Sequence, residues 1–189
     1  MIPTIVVGSY KGSPFLQGCL DSIPSDISCI VVRNDGYECG ALRWVKDNFQ
    51  GEKFLFLQDS ARIKNASWVY RCFEDQLSYS INNETGLMSM YSGVYRTEIL
   101  RQIPIPETRT KMDAVLYEMS IGHNYGMLDP QTKVLWPELT FENARDEVIF
   151  DRPVKVYEND FFLKYKTCHG GHLIQECCER DQARRQQVA

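Results

Sequence analysis

Asp59 closes the strand-length apolar run Lys53-Phe54-Leu55-Phe56-Leu57-Gln58, and the Ser60 hydroxyl follows it. A buried parallel strand ends in this way when its carboxyl edge does chemistry. Asp35 stands at the corresponding place after Ile30-Val31-Val32, and Asp113 lies near the start of a helical pattern in the second half. In open α/β sheets, ligands bind outside the carboxyl ends of the strands. One carboxylate for a base or ribose, one for a metal or diphosphate and one as general base would together run a group transfer from a nucleotide donor. Each aspartate alone suits a turn or a helix cap equally well.

A second chemistry-bearing cluster is Cys168-His169-Gly170-Gly171-His172, followed by Cys177-Cys178. Soft nitrogen and sulfur ligands at close spacing can hold zinc, but this spacing matches no closed zinc site, and Gly170-Gly171 also suits a plain turn. One of these histidines completing a metal site with Asp59 is the alternative. His123, in Gly122-His123-Asn124, reads as a helix C-cap residue. Gly8-Ser9-Tyr10-Lys11-Gly12-Ser13 lacks the spacing of a Walker phosphate loop, and no Gly-x-Gly-x-x-Gly follows the first apolar run. No Gly-x-Ser-x-Gly elbow occurs, which disfavours a serine hydrolase.

The elements that must position these groups alternate. Residues 4–8 predict a buried strand, and Ser13-Pro14 opens a helix through Leu16, Cys19, Leu20 and Ile23 that Pro24 ends. Residues 27–32 predict a second buried strand and 40–49 a second helix, through Leu42, Val45 and Phe49. Residues 54–57 predict a third strand, and 66–77 a helix burying Val69, Cys72, Phe73 and Leu77. This alternation argues for a parallel sheet with right-handed crossovers. Further on, residues 87–96 predict a strand or hairpin bent at Gly93, and 97–102 a short helix. Met112, Val115, Leu116 and Met119 fall at helical spacing, giving a helix over 110–121 stopped by Gly122. Residues 127–165 read as short strands and loops with aromatic anchors at Trp136, Phe141, Phe150, Tyr157, Phe161 and Phe162, and a solvated helix or tail begins near 174.

With 189 residues, 43% apolar and 24% charged, the composition is that of one globular domain with a full core. The halves are 1–85 for nucleotide binding and 86–173 for the acceptor, with 174–189 as terminal helix or tail. A net charge of −4 gives no global pull towards nucleic acid or an anionic membrane. Seven cysteines without a framework spacing argue for reduced thiols. No apolar stretch reaches membrane-spanning length, and Met1-Ile2-Pro3-Thr4 shows no basic leader, so the expectation is an unprocessed cytoplasmic protein without a membrane span.

Taken in order, these segments resemble nucleotide-sugar glycosyltransferases of the GT-A fold, in particular the large family-2-like group. Ile5-Val6-Val7-Gly8-Ser9-Tyr10, with Cys19-Leu20-Asp21-Ser22-Ile23, is similar to that family's opening strand and helix. Asn34-Asp35-Gly36 is similar to its turn after the second strand, and Gln58-Asp59-Ser60 to the approach to its Asp-x-Asp motif. Residues 92–100 with Lys111-Met112-Asp113 are similar to its acceptor-side strand and its Glu-Asp helix. Ser60 and Ala61 follow Asp59 where the family has a second acid, and Met112 replaces the first acid of the Glu-Asp pair.

The resemblance implies an α/β, GT-A-like (Rossmann-like) fold with a mixed, mostly parallel sheet flanked by helices. It implies transfer of a sugar from a nucleoside-diphosphate sugar to a hydroxyl of a glycan, protein or modified base, with inversion. Ser9, Tyr10, Asn34, Asp35 and Asp59 would bind the nucleotide, and Asp113 would be the catalytic base. Asp59, His169 and His172 would hold a divalent metal, manganese or magnesium. The rival readings are a nucleotidyltransferase, and a non-catalytic sugar-nucleotide or protein-binding domain of the same fold.

Overall fold

The computed structural model describes residues 3–10, 13–33, 37–82, 90, 92–150 and 152–166. Its first half alternates as the sequence predicts: β1 (Thr4–Ser9), α1 (Leu16–Asp21), β2 (Ser28–Arg33), α2 (Tyr37–Asn48) and β3 (Lys53–Gln58). β1 is central to this group, pairing in parallel with β2 on one side and β3 on the other. The chain continues through β4 (Ala61–Ile63), α3 (Ser67–Cys72), β5 (Tyr79–Ser80), β6 (Ser92–Arg96), α4 (Thr97–Gln102) and α5 (Lys111–Leu128). It then runs through β7 (Lys133–Val134), β8 (Arg145–Ile149), β9 (Arg152–Glu158) and β10 (Phe162–Lys166).

The main sheet has six strands in the order β2-β1-β3-β6-β5-β7. β6 runs antiparallel to both β3 and β5, so the sheet is mixed. Strand alternation divides its side chains between two cores. Ile5, Val7, Leu55 and Leu57 face one side, where α3, Trp136 and Phe162 cover them; Val6, Phe54 and Phe56 face the other, against Leu42 and Val45 of α2 and Tyr125 of α5. Gly93 sits within β6 rather than at a bend. It pairs with Phe56 and Ser80, and a Cβ there would come within 2.6 Å of the Tyr79 carbonyl oxygen, so only glycine lets these strands meet.

A second, four-stranded antiparallel sheet in the order β4-β10-β9-β8 has no counterpart in the sequence reading. β8, β9 and β10 come from the region read as short strands and loops with aromatic anchors, and β4 from the segment after Asp59. Trp136, Tyr157 and Phe162 are buried as anchors, whereas Phe141 and Phe150 are exposed. Three other expectations change. β2 is an edge strand with Cys29 and Val31 exposed, since among the described residues no strand pairs beyond it. α3 stops at Cys72, although Val69, Cys72 and Phe73 are buried as expected. α5 runs through Gly122 to Leu128, which places His123 inside the helix rather than at its cap. The Met112, Leu116 and Met119 stripe of α5 faces outward, and the buried side of the helix is Ala114, Ile121 and Tyr125.

Candidate functional site

The carboxyl ends of β1 and β3 lie side by side, with Gly8 opposite Gln58 in the parallel register. The backbone extends that register one step further, since the Asp59 N–H donates to the Gly8 carbonyl at 3.1 Å. The Asp59 carboxylate is thereby carried back over the end of β1. Its Oδ2 accepts the Ser9 hydroxyl at 2.9 Å and the Tyr10 N–H at 3.4 Å. Ser9, Tyr10 and Asp59, singled out from separate stretches of sequence, therefore form one hydrogen-bonded group at the sheet edge where α/β proteins bind ligands. Asn34 and Asp35 lie outside the described residues, as do His169, His172 and the cysteines beside them.

The second sheet brings a cation to this edge. β10 pairs with β4 so that Lys164 stands opposite Ala61, two residues past Asp59. The Lys164 ammonium donates to Gln58 Oε1 and to Ser60 Oγ, the latter at 2.6 Å, and the Tyr165 N–H donates to the Ser60 carbonyl at 3.0 Å. Lys164 is only 2% exposed. Burial pushes its amine down to about 8, against the opposing pull of the Asp59, Glu38 and Glu118 carboxylates. Arg62 adds a second cation on the same turn, donating from Nη1 to the carbonyls of Asp59 at 3.1 Å and Ala61 at 2.9 Å. Gly18 of α1 makes room for this guanidinium: a Cβ there would lie 2.5 Å from Arg62 Nη2.

Neither cation was found by the sequence reading. For Lys164 the signal was present: with the strand period of two, it shares the inward face of β10 with fully buried Phe162. Reading residues 127–165 as short strands and loops without assigning their bounds hid that parity. Glu38 was missed for another reason: the sequence reading began the second helix at residue 40, whereas α2 starts at Tyr37 and carries Glu38 in its first turn.

No family model and no curated protein matches the sequence. Among solved structures, the crystal structure of A197 from STIV aligns with a TM-score of 0.50 and 14% identity, covering 90% of this chain and 97% of that one. At that identity the likeness concerns the fold alone.

Asp113 is placed differently from the Asp59 group. It is the third residue of α5, and a capping box joins it to Thr110: the Asp113 N–H donates to Thr110 Oγ1 at 3.1 Å, and its Oδ2 accepts the N–H groups of Thr110 at 3.0 Å and Arg109 at 3.2 Å. The bonds from Thr110, with those from the backbone, hold its carboxyl below the usual carboxylate range. The N-terminal part of α5 packs on α2, where the Cys39 thiol lies 3.9 Å from the Ala114 carbonyl. Glu118, half-buried further along α5, acts electrostatically on Lys164 and on the fully buried Tyr95.

Beside Asp59, two of the described side-chain oxygens already serve the Lys164 ammonium. A hard cation such as magnesium at a nucleotide site is held by one or two carboxylates, with waters and phosphate oxygens completing its shell. Here Gln58 Oε1 and Ser60 Oγ are taken by an ammonium, whose charge opposes a second cation at the same place. No group of three or more His, Cys, Asp or Glu side chains stands together as a ligand set among the described residues. Nor is any described helix long and apolar enough to cross a membrane.

Proposed function

We propose that the protein is a glycosyltransferase of GT-A type that binds a nucleoside-diphosphate sugar at the β1–β3 edge and moves the sugar to an acceptor hydroxyl. The observation that carries this reading is the joining of Ser9, Tyr10 and Asp59 across the carboxyl ends of two parallel strands. Such a group offers a hydroxyl and a carboxylate to the ribose and base, and the position is where open α/β sheets take nucleotides. The antiparallel insertion of β6 beside β3 and the small second sheet give the acceptor half its own scaffold. In the transfer, the acceptor oxygen bonds to the anomeric carbon as that carbon's bond to the diphosphate breaks. The acceptor proton passes to a carboxylate, for which Asp113 is the proposed base.

A binding domain of the same fold without turnover is the second reading, and the capping box favours it. A carboxylate already accepting two backbone N–H groups is a weaker base than a free one. One experiment separates the two. Donor hydrolysis and transfer are measured with a panel of nucleoside-diphosphate sugars, alongside donor binding by the shift in melting temperature. Transfer by the wild type that Asp113→Asn abolishes while donor binding persists supports the enzyme. Donor binding without turnover in the wild type supports the binding domain, and no shift with any nucleotide removes both.

A further inference from the structure

On the reading that this edge binds a nucleoside diphosphate, we propose that the buried Lys164 ammonium, rather than a divalent metal ion, is the cation that makes the edge accept the diphosphate. The argument begins with charge. Asp59 presents a carboxylate at the place where a diphosphate would arrive, and Glu38 at the start of α2 is buried nearby. Like charges so placed repel, and in a site of low dielectric the repulsion is hardly screened. A cation close to the acids offsets that repulsion.

Lys164 is already there, built into the fold. β10 carries it under the turn that follows β3, where Gln58 Oε1 and Ser60 Oγ fix the ammonium from two sides. The groups that face it are the carboxylates of Asp59, Glu38 and Glu118 and the ammonium of Lys166. With acids from the β3 turn, α2 and α5 around it, a buried lysine offsets charge that would otherwise exclude an anionic ligand. The Arg62 guanidinium, fixed on the Asp59 and Ala61 carbonyls, adds to the same effect.

This accounts for the single acid in the segment Gln58-Asp59-Ser60-Ala61. A metal held by two carboxylates would need the second acid, whereas an ammonium needs neutral acceptors, and Gln58 and Ser60 supply them. Lys164 is thus a positioning residue that acts on the diphosphate through the field at the edge. A merely structural lysine would affect folding and would not distinguish phosphate-bearing ligands from others.

The test is calorimetric titration of the full chain with uridine, guanosine, cytidine, adenosine and thymidine diphosphates and the corresponding nucleosides, in EDTA and in manganese. The wild type is expected to bind one diphosphate in EDTA, with manganese changing its affinity by less than about threefold. Lys164→Met is expected to weaken that diphosphate by at least about tenfold and its nucleoside by less than about threefold, while Lys164→Arg stays close to the wild type. Diphosphate binding that requires manganese overturns the proposal and leaves the donor reading intact. So does an equal loss of diphosphate and nucleoside in Lys164→Met, or no loss at all. Should Lys164→Met fail to fold, the EDTA arm on the wild type and the Lys164→Arg titration still decide. If no diphosphate binds the wild type in either condition, the donor reading falls, and the proposal with it.

Discussion

In β3, Phe54, Leu55, Phe56 and Leu57 are fully buried, whereas in α5 Met112, Leu116 and Met119 are 43%, 56% and 45% exposed. Both segments carry an unbroken apolar pattern of the right period. The difference lies in their neighbours. β3 stands between β1 and β6, with a layer packed on each face of the sheet, so its side chains are enclosed in both directions. α5 lies at the surface, and its packed side, through Ala114, Ile121 and Tyr125, is reached from α2 and α4. An apolar stripe therefore marks a candidate core face, and the elements stacked against it decide whether it becomes one.

The comparison breaks most sharply at Phe56. Its ring packs in the α2-side core, with ring atoms as near as 3.0 Å to the place where a Cβ on Gly8 would stand. Phe56→Ala is expected to cost about 3–5 kcal/mol, because a ring deleted between two strands and a helix leaves a cavity the sheet cannot collapse. Urea unfolding measures this. A loss below about 1 kcal/mol would mean that the strand is far more plastic than a central position permits.

Lys164 inverts the comparison, since it is a charged residue enclosed where α5 leaves apolar residues outside. Its amine titrates at about 8 in the folded protein against 10.5 in the unfolded chain. Between these values the unfolded chain holds a proton that the folded protein has released, so this group makes stability rise with pH there; below about 8 the cost of burying the charge is fully present. Other groups titrate in the same range, so the informative quantity is the stability of the wild type minus that of Lys164→Met. That difference is expected to shift in favour of the wild type by on the order of 1–2 kcal/mol between about pH 8 and about pH 9.5. A flat difference would show that the three surrounding acids keep the ammonium protonated throughout.

These contrasts explain which parts of the molecule could be read from the sequence. The β1-α1-β2-α2-β3 alternation was legible because each strand is a short apolar run closed by turn residues, and Thr97–Gln102 because Pro104 and Pro106 stop it locally. Asp59 stood out as a candidate because it ends a strand-length apolar run, whereas Ser9 entered only through the resemblance. Their contact was not written in either segment; it follows from the parallel β1–β3 register. In the second sheet only the β4–β10 pairing is non-local, and no pattern within either segment announces it, whereas β8, β9 and β10 pair as successive antiparallel neighbours. β8 offers little apolar alternation, and Lys164 sits at an inward position where a pattern search expects an apolar residue. A buried lysine breaks the local rule, and such breaks tend to fall at functional sites.

The smallest effects are expected on the outward face of α5. Leu116→Gln and Met119→Gln exchange one good helix former for another, so the helix itself should be indifferent to them. If that face meets only water, each change should stay within about 0.5 kcal/mol, and the pair should be additive. The pair is also a control on the comparison with β3, because both substitutions remove as much apolar surface as a core change would. A loss above about 2 kcal/mol would mean that the face is covered in solution. Covering by a second copy would make the loss depend on protein concentration, whereas covering within the chain would not. Dilution during the melting measurement thus distinguishes the two ways in which α5 could turn out to resemble β3.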